Sequence, residues 1–505
     1  MSILNYQGTF NINQGSVQSL SNMTEIDTLN INGSGLYELS KNNKTIVNDI
    51  NINGILQIDL DTENNLNSNE TKITVGGQAH INQLTSRLLI NGSAFWGKIS
   101  LTFLEGSANS ISGQWYNNAI SGSEKMIFDP VYTPDGKYVK LTITGLSMSQ
   151  LSGLNDNQKQ VANLFDKTPV GGVLDNIIIP LANMSDSQAK QKLEILSGSF
   201  YANILNYEAI SNNLNDIIFR IDLNTIEATG EDKKEMWINA GIKGLNFNSN
   251  DDLSESINSS GFGGQIGADI FNNGDDFIGG IYGGFEKTDF KQAENTANIN
   301  DITLGIYGAF IHNKYKLSGV LSFGLQTFNS ERDLSFINSK SKADFNTQSI
   351  RLGAEYKYIT PLNENINLIP FIDLLGGFLM TPDIEEKGNS NANLTIKANN
   401  YTRLSALIGA GLENQEGFFR WDFRAYLGYL FIGAGKQEYE ISFSSAKEYE
   451  AMSIYSSEIP NINFGFSGGI DLVFSDYLSI FFKGSTQLDS NIMQYTGSIG
   501  VNYKL

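Results

Sequence analysis

Very few side chains in this chain could do chemistry. Its 505 residues include two histidines, His80 and His312, and no cysteine. Without cysteine there is no disulfide, no thiolate-bound zinc and no thiol nucleophile, which suits a chain that crosses an oxidising compartment unfolded. Two imidazoles leave little for a histidine metal site or a general base, so most familiar hydrolases are disfavoured. His80 has serines and aspartates nearby but no Gly-Asp-Ser-Gly or similar nucleophile context, and His312 in His312-Asn313-Lys314 reads as a turn residue. Gly261-Phe262-Gly263-Gly264 and Gly279-Gly280 are poor phosphate loops, because they lie in strands rather than ahead of helices. Asparagine remains. Its side-chain amide can attack its own main-chain carbonyl carbon and form a succinimide, provided nearby groups polarise the amide and exclude competing water. Asn-Asn pairs occur at Asn42-Asn43, Asn64-Asn65, Asn117-Asn118, Asn212-Asn213, Asn272-Asn273 and Asn399-Asn400.

The elements that would position such groups fall into three regions, as the length leads one to expect. Lys and Arg total 34 against 54 Asp and Glu, and a net charge of −20 gives no electrostatic reason for a nucleic-acid partner. The longest apolar stretch, Phe371 to Met380, contains Asp373 and is too short for a transmembrane helix, so any membrane role must use strands. The first residues, Met1-Ser2-Ile3-Leu4-Asn5-Tyr6-Gln7, have neither the basic nor the apolar region of an export signal; an exported chain would start after its signal.

In residues 1–150 an apolar residue followed by Asn-Gly or a near variant recurs at Ile12, Ile31, Ile52, Val75 and Ile90, with spacings of 19, 21, 23 and 15. Short β-rich runs at this period are what stacked rungs of a parallel β-helix need; an Asn-rich antiparallel β-domain is the alternative. Leu101 to Gly145 reads as strands and turns, with Trp96, Trp115 and Tyr116 as core or capping aromatics. Residues 151–231 change character. Asn155 with Gln158, and Ser185 with Gln188, are helix starts of capping-box form. Apolar residues then recur every three or four positions from Leu193 to Ile221, which predicts one long amphipathic helix, broken at Gly198.

From Met236 the period becomes two and stays so. Ile350, Leu352, Ala354, Tyr356 and Tyr358 share one face; Ser349, Arg351, Gly353, Glu355 and Lys357 share the other. Phe419 to Tyr429 and Ile462 to Leu472 repeat the pattern. Twelve such segments start near Met236, Gly261, Phe277, Ile299, Tyr315, Phe345, Ile366, Tyr401, Phe418, Asn461, Tyr477 and Ile492. An even number of amphipathic strands about ten residues long, greasy on one face and charged on the other, predicts a transmembrane β-barrel. A soluble β-sandwich would have shorter strands around a dry core.

This pattern resembles the autotransporter β-domain over residues 232–505. Leu196-Ser197-Gly198-Ser199-Phe200-Tyr201-Ala202 is similar to the segment that precedes the family's pore helix, and Glu235-Met236-Trp237-Ile238 to its first strand. Ile73 to Gly145 looks like the last rungs and folding-assisting region of a β-helical passenger. The final strand, with Tyr495, Gly497, Ile499, Val501, Tyr503 and Leu505 alternating, is similar to the assembly signal of outer-membrane barrels, although Leu505 departs from the usual Phe. The resemblance implies an all-β protein with a short helical linker: a twelve-stranded antiparallel barrel plugged by a helix near Phe200 to Ile221, preceded by the end of a right-handed parallel β-helix. Small residues in the strands would then give curvature and clearance for that helix.

The resemblance further implies a monomeric outer-membrane translocator without cofactor or metal, embedded in lipid and inserted with the help of periplasmic chaperones and the barrel assembly machinery. It would carry its passenger to the cell surface by folding outside rather than by a nucleotide. In one branch of the family the passenger is released by cleavage between two asparagines inside the barrel. Asn212-Asn213-Leu214-Asn215 resembles that motif, with Asp269 and Glu355, lumen-facing by alternation, in similar contexts. Ordinary lumen-lining charge is the plainer role for both acids. Two other readings are a porin-like channel with an N-terminal β-domain and a surface adhesin whose β-helical part binds host ligands.

Overall fold

The computed structural model describes residues 5–19, 23–39, 44–59, 72–91, 98–115, 120–121, 126–145, 147–168, 172–210, 234–247, 256–272, 277–312, 314–388, 390–414 and 416–504. The chain divides into two compact units. One comprises residues 1–154 and 161–192; the other comprises 155–160 and 193–505.

In the first unit Asn5–Ser19 pairs parallel with Met23–Leu39, which pairs parallel with Lys44–Ile52 and Ile55–Asp59. These continue in parallel to Ile73–Val75, Ala79–Ile81 and Arg87–Asn91. Three of the recurring apolar residues stack in one buried column, Ile12 on Ile31 on Ile52, and Ile81 extends it. Val75 instead pairs with Val47 and Ile90 with Ile58, which explains their irregular spacing: they belong to other columns of the same stack. Beside the apolar column run two asparagine ladders. Asn51 Nδ2 donates to Asn30 Oδ1 (2.8 Å) and Asn30 Nδ2 to Asn11 Oδ1 (2.7 Å), while Asn53 donates to Asn32 (3.3 Å) and Asn32 to Asn13 (3.0 Å). The repeated Asn thus satisfies its own copies in the neighbouring rungs. Further on, Met126–Tyr132 and Tyr138–Gly145 form an antiparallel pair on Lys98–Glu105. Trp115 is buried against Phe103, while Trp96 and Tyr116 lie outside the described residues.

Among the described residues four α-helices follow: α1 Asp156–Lys167, α2 Asp175–Ala182, α3 Asp186–Ser197 and α4 Ser199–Ile210. Both capping boxes form. Asn155 N–H donates to Gln158 Oε1 (2.9 Å) and Gln158 N–H to Asn155 Oδ1 (2.8 Å); Ser185 and Gln188 exchange the same pair at 3.3 and 3.4 Å. The break between α3 and α4 falls at Gly198, whose φ of 77° lies in the left-handed region that ends helices.

The second unit is dominated by a closed antiparallel barrel of twelve strands: β1 Glu235–Phe247, β2 Ile257–Asn272, β3 Phe277–Gln292, β4 Asn295–His312, β5 Tyr315–Leu334, β6 Ser339–Tyr358, β7 Asn367–Met380, β8 Tyr401–Asn414, β9 Phe419–Ile432, β10 Ile462–Ser475, β11 Leu478–Leu488 and β12 Ile492–Lys504. Each pairs with its neighbour in sequence. β12 closes on β1 through thirteen partners from Glu235–Lys504 to Phe247–Ile492, so no edge remains. His312 ends β4 with its ring stacked on Phe310.

The strands are 11 to 20 residues long, several longer than the ten or so expected, and the sequence shows why. In β6 the outward residues from Ile350 onward are largely apolar, whereas those before it are Lys340, Lys342, Asp344, Asn346 and Gln348. Only the apolar half matches a lipid band, and the other half projects beyond it. Reading apolar alternation therefore places the start of this strand near Phe345 instead of Ser339. At that projecting end the segments 380–401 and 432–462 contribute Ile384–Glu385, Leu394–Ile396, Glu438–Phe443 and Met452–Tyr455 to a four-stranded antiparallel sheet.

Candidate functional site: the barrel lumen and its mouth

On these strands the outward residues Ile281, Ile306, Leu321 and Leu352 are half-exposed and share one register row, while many of the alternating inward residues are polar and buried. Buried charges require partners, and the lumen supplies several. Arg351 Nη2 meets Asp301 Oδ2 at 2.7 Å, Arg424 Nη1 meets Glu355 Oε2 at 2.6 Å, and Lys243 pairs with Glu286. Near the β1 start, Trp237, Tyr282 and Tyr307 form an aromatic cluster. Trp237 Nε1 donates to Tyr307 Oη (3.2 Å), and Tyr307 Oη donates to Asp269 Oδ1 (2.6 Å). The glycine-rich strand segments make room for these rings: a Cβ on Gly280 would run into the Tyr307 ring and the Ala268 carbonyl. At Gly280, at least, clearance serves an aromatic side chain rather than a helix.

Of the residues singled out from sequence, Glu355 lies inside the barrel at 1% exposure, and Asp269 accepts hydrogen bonds from Tyr307 and from Glu235 N–H (3.1 Å). They stand on β6 and β2 with separate partners. Tyr503 is on the outward face of β12, half-exposed. Asn212, Asn213 and Leu505 lie outside the described residues.

Sequence reasoning missed a densely bonded cluster that lies at the mouth. Glu386, just past Ile384–Glu385, is fully buried and receives four donors: Arg332 Nε (2.8 Å) and Nη2 (2.6 Å), Tyr201 Oη (2.9 Å) and Leu394 N–H (2.7 Å). Arg332 also donates to Ile195 O (3.1 Å), a carbonyl in the last turn of α3, and to Ala392 O. A guanidinium fork fits this role, because it serves a carboxylate bidentately and still caps a helix C-terminus. Burial, and then the adjoining Glu386 carboxylate, hold the Tyr201 hydroxyl well above the usual phenol range, so it stays a donor. Arg332 could have been flagged as an inward charge on β5; Glu386 sits in a connection with no periodicity and gives no such signal.

Every residue of α4 from Ser199 to Tyr207 is buried. Phe200 and Tyr207 pack on Phe290 of β3, Asn203 Nδ2 donates to Gln292 Oε1 (3.0 Å), Asn206 Nδ2 donates to Ser456 Oγ (2.5 Å), and Ser457 N–H donates to Asn203 Oδ1 (2.7 Å). A helix polar and apolar all round is stable only when surrounded.

A closed antiparallel meander with an apolar band outside and paired charges inside is a transmembrane β-barrel. The autotransporter beta-domain family matches residues 236–485, and the chain carries an autotransporter β-domain. The barrel is thus an outer-membrane translocator of a bacterium. Among solved structures, the translocator domain of autotransporter NalP from Neisseria meningitidis is similar at 14% identity, covering 59% of this chain and 96% of that one, with a TM-score of 0.49. The transport unit of AIDA-I from Escherichia coli is similar at 16% identity, covering 60% and 97%, with a TM-score of 0.41. The β domain of the Bordetella autotransporter BrkA gives 14%, 54%, 98% and 0.40. No curated protein matches the chain.

Proposed function

We propose that α4 is the plug of this translocator, left in the mouth and upper lumen once the upstream chain has passed through, and that residues 1–150, the parallel stack with the antiparallel strands after it, are the last part of a β-helical passenger, with its folding-assisting region, at the cell surface. The observation that carries this reading is the burial of α4 on all sides among barrel and loop residues. Folding of each rung on the previous one outside would drive transport, the asparagine ladders adding hydrogen bonds per rung. The barrel assembly machinery, with periplasmic chaperones, would read the final strand through Tyr503 and Leu505, and the finished barrel works as a monomer in lipid. Host ligands would meet the passenger face, which keeps the adhesin reading compatible with this one.

In planar bilayers the full chain is expected to show no steady current, whereas a chain lacking residues 1–233 conducts steadily as a water-filled pore. Steady conductance of the full chain would favour the porin-like reading instead.

Release by self-cleavage at Asn212-Asn213 is the finer proposal, with Asp269 or Glu355 polarising the amide. After expression behind a signal peptide, N-terminal sequencing of the heat-modifiable outer-membrane fragment is expected to begin at Asn213. An intact chain in that fraction keeps the translocator and removes the cleavage.

A further inference from the structure

The mouth sheet is made of two connections far apart in sequence, and its buried residues are apolar: Ile384, Leu394, Ile396, Tyr439, Ile441, Phe443, with Met452 and Ile454 on the last strand. Four short strands with one greasy face are not stable alone; they need a surface to cover. That surface includes the α3–α4 elbow. A Cβ at Gly198 would crowd Leu394 and Ile441, so the sheet lies directly on the elbow backbone. The polar contacts bind the same parts together. Glu386 from one connection takes Tyr201 of α4 and Arg332 of β5, Arg332 reaches Ile195 of α3, and Ser456 and Ser457 from the other connection take Asn206 and Asn203. Asn157 adds a two-way bridge to the Tyr455 main chain, both bonds 2.8 Å.

We infer that the sheet is a lid that folds only on the seated α3–α4 elbow, latched by the Arg332–Glu386 pair, so that the mouth closes when transport ends and not before. Without the elbow the lid would expose its apolar face, Arg332 would lose Ile195 O as an acceptor and Glu386 would lose the Tyr201 hydroxyl as a donor. The lid therefore stays open around a chain still in transit and closes on the elbow, whose Gly198 and Tyr201 fit it. This inference rests on the plug reading given above.

Amide hydrogen exchange on the full chain in detergent tests it. In the native protein, Leu193–Tyr207, Leu394–Ile396, Glu438–Phe443 and Met452–Tyr455 are expected to exchange as one unit, with a common dependence on urea. Glu386→Ala, which strands the buried Arg332, should speed all four segments together by about 100-fold and leave β2 to β4 unchanged. Tyr201→Phe, a mild change on the helix, should speed the loop strands by about tenfold. If either variant speeds only its own segment, the lid folds independently and the inference fails. Because the plug is read by conductance, a closed full-chain pore with uncoupled exchange would remove the lid inference and leave the plug standing.

Discussion

Arg332→Ala is expected to destabilise the mouth by about 3–5 kcal/mol, the usual cost of leaving one member of a buried ion pair without its partner. The side chain has no exposure, and neither does that of Glu386. Removing it withdraws two donors from the carboxylate and leaves the carbonyls of Ile195 and Ala392 without that donor. Tyr201 Oη and Leu394 N–H cannot make up a missing positive charge. The effect should be confined to the mouth, because the barrel strands keep their complete hydrogen-bonded ring. Protease cleavage within residues 380–401, followed against urea on the otherwise intact barrel, measures it. A loss below about 1 kcal/mol would mean that water reaches the pair and that it behaves as a surface ion pair.

Ile306→Arg is expected to cost about 2–4 kcal/mol of folding free energy in lipid vesicles, whereas Phe310→Arg, on the same face of β4, should cost only about 0–1. The difference is one of depth. Ile281, Ile306, Leu321 and Leu352 occupy one register row, each with apolar outward residues on both sides of it, so Ile306 sits near the middle of the band. Phe310 is two residues from the end of β4 and within reach of headgroups. Urea titration of refolding from vesicles gives both values. Equal costs at the two sites would place the band elsewhere on the barrel, and negligible costs at both would remove the lipid from this surface.

The barrel was legible because lipid outside and water inside impose a period of two on every spanning strand, so all twelve segments announce themselves. The strand beginnings were less legible. Beyond the lipid band the outward face of β6 is polar, from Lys340 to Gln348, while Ala343 and Phe345 lie on the buried face, so the outward apolar signal stops although the ladder continues to Leu334 and Ser339. The helix break was legible at Gly198 because few other residues turn left-handed there. In the N-terminal stack the period was visible through Ile12, Ile31 and Ile52, but which columns hold Val75 and Ile90 depends on the path between rungs, which spacing alone does not record.

The sequence by itself determined the architecture of this protein: a chain without thiols, an asparagine-rich repeating segment, helices begun by capping boxes, and a translocator barrel written in alternation. Only the tertiary structure decided what meets what inside it. Arg332 and Glu386 lie 54 positions apart, and Tyr201 lies 185 from Glu386. They converge because the barrel closes through β1 and β12 and brings two long connections over one mouth. Periodicity reports the side of an element on which a residue lies; a buried cluster assembled from a strand, a helix and a loop has no period, and closure of the fold alone creates it.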